Sequence, residues 1–212
     1  MQTTPEQPDS STGADEWARI YESKLATYEE FTSKLQDLIA ELVRKQDIEL
    51  AQIEGRTKSV DSFLRKITRE YKEYHNPLAK IADFVGIRVV AYYREDVARI
   101  GEIIEEEFAV DWENSRDVAQ ILDPDTLGYL SVHYVVALSS ARERLPEWEA
   151  FQGTKAEIQL RTVLQHAWAE IEHTLLYKAP RDLSDDLKRR LFRLSALPEL
   201  ADEQFSAIKR ST

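Results

Sequence analysis

Cysteine is absent from all 212 residues, which removes disulfide frameworks, thiolate zinc sites and cysteine nucleophiles from consideration. Glycine (6) and proline (7) are sparse, which argues against turn-built repeats and against collagen-like or low-complexity chains. No internal repeat is visible. No apolar run approaches the roughly 18 residues that a membrane span needs. Met1 to Glu16 carries neither a basic start nor an apolar stretch, so it does not read as a secretory signal. A soluble, cytoplasmic protein with no membrane partner is the expectation. There is no Walker-type GxxxxGK loop, no HExxH and no GxSxG, so a P-loop enzyme, a zinc hydrolase and a serine esterase have no support.

Lys and Arg total 28 against 39 Asp and Glu, for a net charge of −11. That balance argues against broad nucleic-acid binding, which needs clustered cations to neutralise phosphates. Hydrophobic residues make up 42%, enough to bury a core. The length allows one full domain and an appendage.

Residues 1–14 are rich in Ser, Thr, Gln and Pro and read as a flexible tail. From Glu16 to Ile53, apolar residues such as Trp17, Tyr21, Tyr28, Phe31, Leu35 and Leu42 recur every three or four positions, uninterrupted by Gly or Pro. This predicts one long helix, or two with a bend, ending at Gly55. Tyr21, Tyr28 and Phe31 read as its core face. Ser59 to Tyr74 predicts a second helix, broken by His75-Asn76-Pro77. Phe84 to Tyr93 is β-branched and aromatic, too continuous for a one-sided strand, and predicts a central strand. Helical spacing returns over Asp96 to Phe108. Tyr129 to Leu138 and Lys155 to Arg161 read as strands. Thr162 to Leu176 and Leu183 to Lys209 read as helices, the last bent or broken near Pro198. The expected class is α/β or α+β, a sheet flanked by a long N-terminal helix and C-terminal helices. The expected divisions are a tail (1–14), an N-terminal helical region (15–54), a core (55–178) and a C-terminal helical region (179–212).

Charge is uneven. Glu54 to Lys72 carries six basic residues against three acidic ones, whereas Glu102 to Asp125 carries nine acidic residues against Arg116 alone. The first stretch could hold an anion; the second could hold a cation or be a solvated loop. Arg56 and Lys58 stand before the second helix, and Lys58, Ser62 and Lys66 follow at i, i+4 and i+8. A helix start flanked by Arg, Lys and Ser suits a polyphosphate; a solvated basic face with an N-cap accounts for the same residues. Asp83 could cap, pair with Arg88 or bind a metal. Arg88 stands mid-strand among Ile87, Val89 and Val90, where a charge needs a partner or a ligand to stack on. Tyr129, Ser131 and His133 alternate along one strand, as do Glu157, Gln159 and Arg161 on the next. Each set is either a wet binding face or an ordinary solvated sheet face. Asp83 and Glu157 together could hold one Mg²⁺ through oxygen ligands. His166 and His173 lie at i, i+7 with Glu170 between them.

Four stretches, GRTKSVDSFLRK (55–66), IADFVGIRVV (81–90), GYLSVH (128–133) and EIQLRTVLQHAWAEIEHTLLYK (157–178), together resemble the synthetase domain of the RelA/SpoT alarmone enzymes, especially the small single-domain synthetases. The resemblance implies a mixed sheet of about five strands with helices around it. It implies transfer of pyrophosphate from ATP to the ribose 3′-OH of GDP or GTP, making a (p)ppGpp-type alarmone. Arg56, Lys58, Ser62 and Lys66 would grip the ATP phosphates, with Arg56 and Arg88 bracketing the adenine. Asp83 would bind Mg²⁺, and Glu157 would help hold that metal or take the proton from the attacking hydroxyl. Tyr129 would stack on the acceptor base, with His133, Gln159 and His166 lining the acceptor side. Phosphoryl-type transfer relies on positioning, a metal and surrounding cations more than on covalent help. No hydrolase half is expected, because that domain precedes the synthetase in the family and only the long helix lies upstream of Gly55.

One departure concerns the acceptor. Relatives that use GDP or GTP usually carry Lys shortly before the GY motif; here Ile121 to Leu127 reads ILDPDTL, and Asp123 and Asp125 would repel a 5′-polyphosphate. Toxic small members of the family modify the 3′ end of tRNA, which makes tRNA the alternative acceptor and an antitoxin protein an associated partner. The net charge of −11 weighs against tRNA. A homo-oligomer is a further expectation, since small synthetases of this kind often form tetramers. A reading of another class, an inactive nucleotide-binding regulator, is disfavoured by the presence of both Asp83 and Glu157.

Overall fold

The computed structural model describes residues 13–69, 76–117, 131–178 and 184–211. The periodic N-terminal region forms α1 (Ala14–Lys45). Its Trp17, Tyr21, Tyr28, Phe31, Leu35, Ile39 and Val43 are all buried, at spacings that keep one face inward. The helix stops ten residues before Gly55. Gln46 and Asp47 make a turn in which Asp47 takes φ 52, a left-handed conformation that Asp tolerates. The chain then returns as β1 (Leu50–Thr57). This corrects the expectation of helix through Ile53. The alternation of Gln52, Glu54 and Arg56 with Ile53, Gly55 and Thr57 has period two, and the neighbouring strand stabilises it as such.

Next come α2 (Val60–Arg69), α3 (Pro77–Lys80), β2 (Val85–Ala91) and α4 (Arg94–Glu107). They lead into β3 (Phe108–Val110), β4 (Arg116–Asp117), β5 (Val132–Leu138) and β6 (Ala156–Thr162). Two helices follow, α5 (Val163–Lys178) and α6 (Asp185–Lys209). The strand order is β1-β2-β6-β5-β3, with β4 attached to β5. β2 and β6 are parallel; the other pairs are antiparallel. The fold is therefore a mixed sheet of five main strands flanked by helices. At three and two residues, β3 and β4 are too short for alternation to mark them in the sequence. No break occurs in α6, which runs through Pro198. Leu194 is exposed, so water can serve the carbonyl that Pro198 leaves without a donor. No helix among the described residues is long and apolar enough to cross a membrane.

Register divides the sheet into two faces. Gly55, Ile87, Ile158 and Tyr134 lie side by side on one, and α1 and α4 cover it. Arg56, Gly86 and Glu157 share the other, as do Glu54, Arg88, Gln159 and His133. On the covered side Tyr21 stacks on Phe63 at 4.6 Å and packs on Phe84 at 5.2 Å between ring centres. Tyr21 Oη donates to the Lys58 carbonyl at 2.7 Å. These contacts fix α2 and the segment before β2 against α1. The edge strand is held as closely: Gly55 N donates to Gln36 Oε1 at 2.8 Å, and the Thr32 and Thr57 hydroxyls lie 2.7 Å apart.

A Cβ at Gly55 would lie 2.7 Å from Thr32 Cγ2 and 2.8 Å from Gln36 Oε1, both tied down by those bonds. Gly55→Ala is therefore expected to cost about 1–3 kcal/mol by overpacking, read as a lower urea midpoint with an unchanged slope. An unchanged midpoint would show that α1 moves aside freely.

Candidate active site

The open face of the sheet carries a cleft of about 280 Å³. Its walls come from β1, the β1–α2 junction, α2, the segment before β2, β2 and β6. Arg56, Lys58, Ser62, Asp83, Arg88, Glu157 and Gln159 all line it, joined by Glu54, Gly86 and Ile87. A Cβ at Gly86 would meet nothing nearer than the Arg56 carbonyl, at 3.6 Å, so that space belongs to the cleft and not to packing.

Asp83 is the hub. Its Oδ2 lies 2.9 Å from Lys58 Nζ and 3.1 Å from Lys66 Nζ. It does not pair with Arg88, one of the options open in the sequence. Lys58 is not on the helix with Ser62 and Lys66, as the i, i+4, i+8 reading implied; it follows β1 directly and converges on Asp83 from the other side. Burial pushes the Asp83 carboxyl up, but the hydrogen bonds and charges of Lys58 and Lys66 outweigh it and hold the group below its usual range. Its second oxygen, Oδ1, is buried without a hydrogen-bond partner.

Glu157 sits opposite Gly86 in register. His133 Nδ1 lies 2.7 Å from Glu157 Oε1, and this bond is the main reason the Glu157 carboxyl titrates low. Burial and the charge of Asp83 oppose it, and both carboxylates line the same cleft. An orphaned oxygen on Asp83 beside a second acid fits a hard divalent cation, which takes one or two carboxylates and completes its shell with water and phosphate oxygens. Among the described residues no group of three or more His, Cys, Asp or Glu gathers for a metal, so the pair does not suit an all-protein site.

Arg88 Nη1 lies 3.4 Å from Glu170 Oε1 and 3.8 Å from Glu54 Oε2, which answers its need for partners. His166, on α5, is held below its ordinary value by burial and by the charges of Arg88 and Arg161. Its Nδ1 is buried without a hydrogen-bond partner, 3.9 Å from Glu170 Oε1. Tyr129 and the acidic loop 121–127 lie outside the described residues. Glu54 was missed in the sequence because β1 was read as helix. A larger cavity, about 540 Å³, opens against α4, but its acid, Glu105, already accepts from Tyr134 Oη.

The depressed Asp83 carboxyl has a consequence for stability. Its contribution is present above the unfolded value of about 3.9 and is lost as pH falls through the lower folded value. Asp83→Asn is expected to be less stable than the parent near pH 7 by about 1 kcal/mol, with the gap closing towards pH 3. Urea denaturation across that range checks it; a gap independent of pH would show that the carboxylate is not held by charge.

The sequence model for the "Region found in RelA / SpoT proteins" matches residues 55–182. The GTP pyrophosphokinase YjbM of Bacillus subtilis (strain 168) is 31% identical over 162 residues, covering 74% of this chain and 71% of that one. YwaC, a GTP pyrophosphokinase of the same organism, is 26% identical over 158 residues, covering 74% and 72%. Among solved structures, small alarmone synthetase 1 from Bacillus subtilis bound to its product pppGpp matches with a TM-score of 0.74 at 26% identity, over 92% of this chain and 98% of that one. The same synthetase bound to AMPCPP matches with a TM-score of 0.65 at 25% identity, over 90% and 97%.

Proposed function

The chain belongs to the RelA/SpoT family, and from that premise we propose that it is an ATP-dependent nucleotide 3′-pyrophosphokinase. Its acceptor is GDP or GTP and its product a (p)ppGpp-type alarmone. The observation that supports this most is the convergence of Asp83, Glu157, Arg56 and Lys58 on one cleft, with Lys66 paired to Asp83 beside Lys58. Two relatives carry the name GTP pyrophosphokinase, and a solved relative holds pppGpp as its product. We assign the catalytic core to 55–178.

Arg56, Lys58, Ser62 and Lys66 bind the ATP phosphates, and Arg56 and Arg88 flank the adenine. Asp83, with Glu157 beside it, would hold Mg²⁺, which when bound neutralises charge on the phosphate oxygens. The acceptor's 3′-oxygen forms a bond to the β-phosphorus. The bond from that phosphorus to the oxygen bridging the α and β phosphates breaks, and AMP leaves with the electron pair. The hydroxyl proton passes to Glu157 and then to water. A carboxylate held ionised is always ready to accept, and a loose transition state asks for little basicity because the hydroxyl surrenders its proton late. Lys58 and Lys66, already gathered by Asp83, then face the developing charge without reorganisation. Gln159, His166 and Tyr129 belong to the acceptor side.

A second reading keeps this chemistry and moves the acceptor to the 3′ end of tRNA. Asp123 and Asp125, which precede the GY motif where relatives that use GDP or GTP usually carry Lys, favour it.

Labelled ATP and Mg²⁺ incubated in parallel with GDP, GTP and bulk tRNA separate the readings. AMP and a 3′-pyrophosphorylated guanosine nucleotide are expected; label on tRNA alone would select the second reading. No product with any acceptor would overturn both. Asp83→Asn and Glu157→Gln are each expected to lower turnover by about 100-fold or more with unchanged circular dichroism. Near-normal turnover of either removes that residue from its role.

A further inference from the structure

Ser131, His133 and Glu157 form a continuous hydrogen-bonded chain across two strands. Ser131 Oγ lies 2.8 Å from His133 Nε2, and His133 Nδ1 lies 2.7 Å from Glu157 Oε1. Ser131 immediately precedes β5, and β5 sets His133 opposite Gln159, diagonal to Glu157. The partners fix the tautomer of a neutral ring. An ionised carboxylate only accepts, so Nδ1 carries the hydrogen; Nε2 is then bare and accepts from the serine hydroxyl.

The order Ser, His, acid is also that of a hydrolytic triad, but here the open end is reversed. Ser131 is 5% exposed and, with His133, borders the cavity against α4 and not the cleft, so its hydroxyl does not open on the cleft. Glu157 lines the cleft. The chain therefore acts on its carboxylate end. That end needs holding: a Glu side chain has several rotatable bonds, and its hydrogen bonds, from His133 and from Gln159, give the carboxylate its direction.

We propose that Ser131 and His133 are positioning residues for Glu157: they clamp Oε1 and leave Oε2 for the cleft, and His133 does not bind the acceptor. This rests on the pyrophosphokinase reading, because the aim of Glu157 matters only if it meets the attacking hydroxyl. Serine locks the ring, the ring locks the acid, and the acid reaches the substrate.

Two isosteres test it. An Asn amide nitrogen falls near the His Nδ1 position, and a Gln amide nitrogen near Nε2. His133→Gln is expected to lower kcat by about 10–100-fold, the range typical of groups that orient a reacting ligand, with the acceptor KM unchanged. His133→Asn should recover most of that loss, and Ser131→Ala should fall between. A raised acceptor KM at unchanged kcat, or equal effects of Asn and Gln, would overturn the clamp. A readout free of turnover separates this from the pyrophosphokinase reading. In the ¹⁵N–¹H spectrum of the free protein, the resonance that His133→Gln removes should report a ring protonated at Nδ1, and Glu157→Gln should shift it. An Nε2-protonated ring overturns the clamp even if turnover is normal. If the wild-type protein makes no product, the enzymatic reading fails while the spectrum still decides the clamp.

Discussion

The arrangement depends on one carboxylate, Asp83, gripped by two ammonium groups from different parts of the chain. Lys58 comes from the junction after β1, Lys66 from α2 and Asp83 from the segment leading into β2. None of these elements needs the others' charges in order to fold. The Tyr21–Phe63–Phe84 cluster beneath them brings the segments together by apolar packing, and the ion pairs then set the direction of the side chains. Part-exposed pairs of this kind stabilise a fold only modestly. Their larger effect is that two cations, mutually repulsive on their own, are held side by side on one carboxylate.

The same sheet separates strength from chemistry. One face is sealed by α1 and α4 and holds the aliphatic residues of β2 and β6. The other presents Arg56, Arg88, Glu157, Gln159 and His133 in register. Gly55 and Gly86 mark the division. The first lets α1 approach the edge strand; the second leaves the floor of the cleft clear. Several groups of the charged face are paired. Arg88 has Glu54 and Glu170, Glu157 has His133, and Asp83 has its lysines.

Much of this was legible in the sequence. The central strand was visible because Val85 to Ala91 is a nearly continuous β-branched, apolar run interrupted by Arg88, and β6 because Glu157, Gln159 and Arg161 alternate with Ile158 and Leu160. β1 was not visible. Helical spacing runs up to it without a Gly or Pro stop, and the turn is made by Asp47, which interrupts no pattern. Reading helix there hid Glu54, and the i, i+4, i+8 spacing wrongly aligned Lys58 with the face of the second helix. The convergence of Lys58 and Lys66 on Asp83 could not be read from spacing, because it depends on how α2 docks and not on the helix itself. The link from Ser131 through His133 to Glu157 needed the pairing register of β5 and β6, which no single strand encodes.

The most direct test of the central claim is binding of Mn²⁺, as a spectroscopic substitute for Mg²⁺, followed by electron paramagnetic resonance in the presence of AMPCPP. One tightly held ion per chain is expected with the wild-type protein, and binding at least about tenfold weaker, the scale of a lost oxygen ligand, in both Asp83→Asn and Glu157→Gln. Undiminished Mn²⁺ binding in both variants would contradict the account, because the two acids would then share a cleft without sharing an ion.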